Sequence, residues 1–299
     1  MKFLVLGANG QVGQELRRSL AAMGGVVATT RSGMLPDGGA CEVADFDQPD
    51  ALAVLVERTR PDVVINAAAY TAVDKAEDDV EAAFRANAEA PGVLARACAV
   101  RGIPFVHYST DYVFDGQGNQ PYREQEATAP LGVYGASKLA GEDAVRDAGG
   151  NHLILRTAWV YGARGHNFLR TMLRLGAERE ELRVVADQVG TPTPAYLIAD
   201  TTARLLGMVE QPRGTLHLTA AGGTTWHGFA EAIFAGAVER GLLSRAPRVT
   251  PIATADFPTR AQRPAFSRMD VRKLEYTQGE AMPHWQIGLD RVLDQLASG

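Results

Sequence analysis

The chain has 299 residues, 46% of them hydrophobic, and its 35 acidic against 30 basic side chains leave a formal charge of -5. That length suits one large or two modest domains with a real core, and the basic residues are scattered rather than gathered into the dense run of a dedicated nucleic-acid binder. No stretch reaches the ~18 apolar residues of a membrane helix, the first apolar run is too short for a secretory signal, and Cys41 and Cys98 form no CxxC pattern or disulfide framework, so the composition points to a soluble, reduced, cytoplasmic protein with no membrane and no nucleic-acid partner.

Residues 2–6 are a short apolar run, followed at once by Gly7-Ala8-Asn9-Gly10-Gln11-Val12-Gly13 and by a helical pattern through Leu16 and Leu20. Strand, glycine turn and helix in this order open a dinucleotide-binding unit. The glycines Gly7, Gly10 and Gly13 allow a tight turn and a close approach of backbone to a pyrophosphate, and the helix start presents unpaired N–H groups. A second strand over 26–30 ends in Thr30-Arg31-Ser32, where an NAD-binding chain would offer an acidic residue to the ribose 2′-hydroxyl. Arg31 is instead suited to the 2′-phosphate of NADP, so NADPH is expected, with NADH as the alternative; the competing reading is an arginine solvated on a loop. Asp45-Phe46 follows a third apolar stretch, and Asp45 could equally cap the next helix.

Residues 61–71 read as a buried parallel strand running into Asn66-Ala67-Ala68-Ala69-Tyr70-Thr71, whose small side chains leave room for a cofactor's phosphates and nicotinamide ribose. The acidic run 74–81 reads as a solvated face, and Asn87, near the start of an amphipathic helix, as a brace for neighbouring backbone. Residues 103–108 form the next buried strand and deliver Ser109-Thr110-Asp111-Tyr112 to its carboxyl end, where open parallel sheets bind ligands. His107, alone inside a strand, reads as a core residue, while the Thr110 hydroxyl can donate to a substrate carbonyl. Glu124 and Glu126 read as solvated loop carboxylates. Tyr134 and Lys138 then stand four apart on a helical pattern that continues through Glu142, so they share one face a turn apart. An ammonium beside a phenol favours the phenolate, which makes Tyr134 a better proton donor near neutral pH.

A further strand over 152–157 ends in Ala158-Trp159, and the alternation of strands and helices then stops. A helix over 167–181, an extended proline-punctuated stretch over 183–194, a strand near 215–219 returning to the sheet, a helix over 225–240 and an irregular tail to Arg272 follow. The fold class expected is α/β, a Rossmann-type doubly wound parallel sheet over 1–163 with that returning strand, and a smaller C-terminal lobe, mainly 164–299, that closes a substrate cleft.

Gly7-x-x-Gly10-x-x-Gly13, Ser109-Thr110-Asp111 and Tyr134-x-x-x-Lys138 together resemble the extended short-chain dehydrogenase/reductases. Within that superfamily, the loop after Gly10, the 66–71 segment, 109–114, Asp187-Gln188-x-Gly190-x-Pro192-Thr193 and Arg263-Pro264 are similar to the dTDP-4-dehydrorhamnose reductase family almost end to end. The resemblance implies reduction of the 4-keto group of dTDP-4-dehydro-β-L-rhamnose by a nicotinamide cofactor. It makes Tyr134 the proton donor, gives Lys138 the nicotinamide ribose as well, and has Thr110 assist at the carbonyl. It assigns Gln11, Val12, Asp45, Phe46, Ala67, Ala68, Ala69, Tyr70, Thr71 and Tyr108 to the cofactor, and Asp111, Tyr112 and Trp159 to the nucleotide sugar. A 4,6-dehydratase would be expected to carry Glu where Tyr112 stands; a 4-epimerase or a non-catalytic regulatory subunit of the same fold are the rival readings. Some reductases of the family bridge a homodimer with magnesium held by glutamates. Glu15 matches one such position, but Tyr196 stands after Pro192-Thr193-Pro194 in place of the second carboxylate, so no metal is expected and any homodimer is expected to form without one.

Overall fold

The computed structural model describes residues 1–208 and 213–298. In chain order its elements are β1 (Lys2–Leu6), α1 (Gln11–Ala21), β2 (Gly25–Thr30), β3 (Glu42–Val43), α2 (Pro49–Thr59), β4 (Val63–Asn66), α3 (Val73–Ala76) and α4 (Val80–Phe84). A π-helical turn (Arg85–Glu89) leads into α5 (Ala90–Arg101), β5 (Phe105–Thr110), α6 (Val133–Asp147), β6 (His152–Thr157), β7 (Val160–Tyr161) and α7 (Phe168–Glu178). Then come β8 (Glu181–Val185), β9 (Val189–Gly190), β10 (Thr193–Pro194), α8 (Ala195–Leu206), β11 (Gly214–His217), β12 (Thr224–Thr225), α9 (Trp226–Glu239), β13 (Arg248–Ile252), α10 (Arg272–Gln278) and α11 (Trp285–Ala297).

Seven of these strands form one parallel sheet in the order β11-β6-β5-β4-β1-β2-β3. The chain runs outward from β1 to β3 and then crosses back to lay β4 against the other side of β1. That reversal opens a crevice outside the carboxyl ends of β1 and β4, the place where such sheets take ligands. Both β4 and β5 are buried along their whole length, which is why their sequences do not alternate apolar with polar; Asn66 and His107, the buried polar pair within them, satisfy each other at 3.1 Å. One face of the sheet packs Phe3, Val5 and Ile65 against Leu16 and Leu20 of α1 and Ile198 and Ala199 of α8. The other packs Leu4, Leu6 and Val64 against Leu52 and Leu55 of α2, Leu94 of α5 and Val145 of α6. A separate core gathers Tyr161, Leu169, Phe229, Phe234, Trp285 and Leu289 from β7, α7, α9 and α11.

The doubly wound parallel sheet and the returning strand stand as expected. The segment after residue 163 is more interleaved than its composition suggests. α8 packs along α1 on one face of the sheet; its apolar positions begin straight after the proline stretch, with Pro194 as N-cap, and were hidden by it. The tail to Arg272 contains β13, parallel to β8, and is followed by α10 and α11. β13 escapes notice because it carries Pro251 and buries only Ile252 fully, as an edge strand can. The acidic run is also not merely solvated. Asp74 accepts from Arg263 (2.6 Å) and from the Ala261 amide (3.0 Å), Asp78 pairs with Arg260, and Glu77 caps α6 through the Val133 amide (2.9 Å). Glu124 accepts from the His217 amide (3.1 Å), which ties its loop to β11. No helix among the described residues is long and apolar enough to cross a membrane.

Candidate active site

A cleft of about 910 Å3 lies along the carboxyl ends of the central strands. At one end is the glycine turn. Gly7 has φ +75°, and a Cβ there would stand 2.7 Å from the Ala68 amide nitrogen, so only glycine lets β1 hand over to α1 this close to the end of β4. Gly10 caps α1 with its amide bonded to Gly7 O (2.9 Å), leaving the helix start open to an anion. Gly7, Gly10, Gln11, Val12, Arg31, Phe46, Ala67, Ala68, Ala69, Tyr70 and Thr71 all line the cleft, and Tyr108, Thr110, Asp111, Tyr112, Tyr134, Lys138 and Trp159 line its other end.

Two residues assigned to the cofactor do not line it. Gly13 is packed against the turn, where a Cβ would lie 2.1 Å from Gly7 O; its role is to let α1 sit close to the loop. Asp45 lies beside the cleft, accepts from the Asp47 amide (3.1 Å) and faces the Arg31 guanidinium at 3.7 Å, while the N-cap of α2 is Gln48. Asn9, Thr30, Ala44, Ser109 and His166 line the cleft without having been singled out. His166 comes from the loop before α7, which reaches back to the glycine turn: Asn167 Nδ2 donates to Gln11 Oε1 at 2.8 Å. That contact spans 156 positions of sequence and left no local signal.

β5 and α6 bring the catalytic candidates together. Thr110 ends β5, and its hydroxyl donates to Asp111 at 3.0 Å and lies near enough to the Tyr134 phenol to lower its proton affinity. Gly135, in the first turn of α6, allows the helix to lie against the chain at Tyr112: a Cβ would be 2.2 Å from Tyr112 O. Tyr112 meets Tyr134 edge to face with ring centroids 5.4 Å apart. Asn87 fixes the rest, accepting from the Tyr70 amide (2.8 Å) and donating to Tyr70 O and to Ser137 Oγ, both at 3.0 Å.

The electrostatics correct one expectation. The Tyr134 phenol is pushed up to about 12 by burial, against the opposing hydrogen bond of Thr110, so it is held firmly protonated rather than drawn toward phenolate. Lys138 is itself buried, and burial lowers its ammonium to about 8, with Glu142 working the other way. Its Nζ donates to Tyr108 O at 2.6 Å and lies 3.5 Å from His107 Nε2, so much of its hydrogen bonding is directed back into the sheet. His107 is fully buried and bonded to Asn66 at 3.1 Å; burial and the neighbouring lysine hold it well below the ordinary histidine range. It stays neutral and is no base. Burial also pushes the Asp111 carboxyl up to about 6, against the Thr110 hydrogen bond to Oδ1 at 3.0 Å.

A glycine turn at one end of a parallel-sheet cleft and a Tyr-x-x-x-Lys helix beside a strand-end Thr at the other define a short-chain dehydrogenase/reductase. The comparisons agree and go further. The RmlD substrate binding domain model matches residues 1–298. A dTDP-4-dehydrorhamnose reductase of Burkholderia thailandensis is 50% identical, with the whole of both chains covered. The crystal structure of a dTDP-4-dehydrorhamnose reductase from Clostridium acetobutylicum superposes with a TM-score of 0.90 at 37% identity over 99% of each chain. One from Bacillus anthracis, solved in complex with NADP, gives 0.89 at 34% over 98% of this chain and 99% of that one. The chain belongs to the dTDP-4-dehydrorhamnose reductase family.

Proposed function

We propose that the chain reduces the 4-keto group of dTDP-4-dehydro-β-L-rhamnose with NADPH, giving dTDP-L-rhamnose. The observation that carries this reading is that the glycine turn and the Tyr134–Thr110 pair open onto one cleft, which can hold a dinucleotide and a keto sugar side by side. Close approach of backbone at Gly7 and Ala68, the open start of α1 and the small side chains of Ala67–Ala69 fit a pyrophosphate and its riboses. Arg31, whose side chain is largely exposed at the rim, fits a 2′-phosphate and would exchange its 3.7 Å contact with Asp45 for it. When bound, the cofactor supplies the hydride.

The chain's own residues do the rest. Negative charge develops on the ketone oxygen as the carbon is reduced, and the hydroxyls of Tyr134 and Thr110 are placed to donate to that oxygen, which stabilises charge present only in the transition state. Tyr134, held protonated, gives its proton to the nascent alkoxide. Lys138 offers an ammonium to the nicotinamide ribose and to the phenolate that Tyr134 becomes. Asp111, Tyr112 and Trp159 face the nucleotide sugar, and Gly165 and His166, from the loop before α7, also line the cleft. We place the reaction in the cytoplasm, with a small nucleotide sugar as its partner.

Purified protein mixed with NADPH and the keto sugar should lose NADPH absorbance in a one-to-one ratio with product, and NADH should give a lower kcat/KM. A 4-epimerase would leave the absorbance unchanged, and a regulatory subunit would leave the sugar unchanged. Equal efficiency with NADH would remove Arg31 from cofactor selection.

A further inference from the structure

The Asp187-Gln188-x-Gly190 segment lines no part of the cleft, yet it is built around a residue that does. Trp159 follows β6, carries its backbone at φ +47°, a left-handed conformation rare outside glycine, and lines the cleft with its indole. Its other face lies flat on the indole of Trp226, with centroids 3.5 Å apart and planes 4° from parallel. Two aromatic rings left to themselves prefer an offset or an edge-to-face arrangement, so a full overlap of this kind has to be held by its surroundings.

Contacts on several sides hold it. Gly190 sits under the Trp159 ring, where a Cβ would stand 2.3 Å from the indole carbon Cε2. Gln188 Oε1 accepts the Trp226 indole N–H at 3.2 Å. The Gln188 amide in turn donates to Thr254 Oγ1 (3.0 Å), and the Thr254 amide and hydroxyl are both bonded to Asp187, at 2.9 and 2.6 Å. Behind Trp226, Phe168 at 4.7 Å and then Phe229 at 5.5 Å from Phe168 continue the aromatic packing into the core of the second lobe. The Trp159 backbone is held from the far side, where its carbonyl accepts from the Thr193 amide (3.2 Å).

We propose that Trp226, with Gln188 and Gly190 behind it, is a positioning residue that fixes the Trp159 indole as a rigid apolar wall against the nucleotide sugar. This rests on the reading of the cleft given above. The strain at Trp159 is what the buttress maintains: freed from Trp226, the ring can leave the wall and the backbone can relax. The wall acts on the sugar nucleotide in the ground state and the transition state alike, so its loss weakens KM without a matching loss of kcat.

The test uses the full-length protein and its reduction of the keto sugar. Two stacked indoles couple their electronic transitions and give an exciton couplet in circular dichroism; the couplet should be present in the parent and absent in both Trp159→Phe and Trp226→Phe. Trp226→Ala should raise KM for the keto sugar about tenfold, the upper range for a lost aromatic pair, with kcat changed less than about threefold and KM for NADPH unmoved. Trp226→Phe should recover most of that loss. Gly190→Ala, which drives a methyl into the ring and leaves Trp226 in place, should raise KM in the same direction, so the proposal stays testable where Trp226→Ala folds badly. Loss of the couplet with KM unchanged in both Trp226→Ala and Gly190→Ala overturns it. A parent protein with a couplet but no turnover of the keto sugar would fault the assigned reaction instead, and the same variants would then be read by the dissociation constant of dTDP.

Discussion

At Tyr134 and Lys138 the four-residue spacing is legible in the sequence and the sign of the pKa shift is not. Spacing follows from helix geometry alone, whereas the phenol's proton affinity depends on how completely Tyr112, Thr110 and the sheet edge enclose it, and those neighbours come from another element. Burial wins here, and it moves the titration that matters from the phenol to the lysine. With Tyr134 held near 12, the group of the pair that changes charge near neutrality is Lys138, lowered to about 8. The ammonium is the useful form, so kcat/KM should fall as pH rises through about 8 and should not gain from phenolate formation. Lys138→Arg should move that limb beyond the measurable range, even at reduced rate. Tyr134→Phe should lower kcat by ~10² or more with the fold intact, because it removes the proton donor while keeping the ring. A flat profile from neutral pH to pH 10, or near-normal turnover of Tyr134→Phe, would contradict this assignment.

Among the elements, α6 shows what pattern reading gives and what it misses. Its existence and face were readable from Tyr134 through Glu142, but Glu142 counted there only as a helix former. In the structure Glu142 and Arg156 of β6 are both buried, joined by two hydrogen bonds at 2.8 and 2.7 Å, with Arg146 adding a third at 2.5 Å. Burial alone would raise the Glu142 carboxyl; Arg156, with smaller contributions from Ser109 and Arg146, outweighs it and the net shift is downward. This pair ties α6 to the sheet one turn from Lys138, and its charge also supports the lysine's ammonium. Its carboxylate is depressed in the folded state, so the stability it confers is present above the ordinary glutamate range and is lost as pH falls through the lowered folded value. Removing one partner leaves a buried guanidinium short of charge, which typically costs ~3–5 kcal/mol. Glu142→Gln should therefore lower Tm markedly at neutral pH and less in acid, and should shift the Lys138 limb of the rate profile downward. Denaturation followed against pH, together with that profile, checks both; an unchanged Tm at neutral pH would mean the pair contributes no net stability. The strands, by contrast, announced themselves, because β4 and β5 are buried on both faces and open on consecutive apolar residues, Val63–Ile65 and Phe105–Val106.

For the molecule as a whole, the sheet and its switch-point cleft could be read from the sequence, while the wiring of the second lobe could not. α8 on α1, β13 on β8 and the Arg263–Asp74 bridge all join residues far apart along the chain, and no local period marks them. The same long-range view bears on the divalent ion expected of some relatives. A hard cation needs several oxygen ligands, mainly carboxylate or water. Glu15 is taken by Arg18 at 2.9 Å, and Arg18 also holds Asp200 at 2.6 Å, so both carboxylates are already engaged by one guanidinium. Tyr196 offers no second carboxylate: its ring lies under the Arg291 guanidinium, 4.1 Å from the centroid, and burial raises its phenol further from ionisation. A second positive charge would be repelled there, and these residues do not fit a bridging magnesium. Exhaustive EDTA treatment should leave kcat and KM within about twofold of the untreated enzyme, since no ligand set would lose its ion. Sedimentation of the same samples should give one unchanged species, whichever oligomer it is. Activity or assembly lost to EDTA and restored by magnesium would show that Glu15 leaves Arg18 for a metal and that the arginines at this surface do not decide the site.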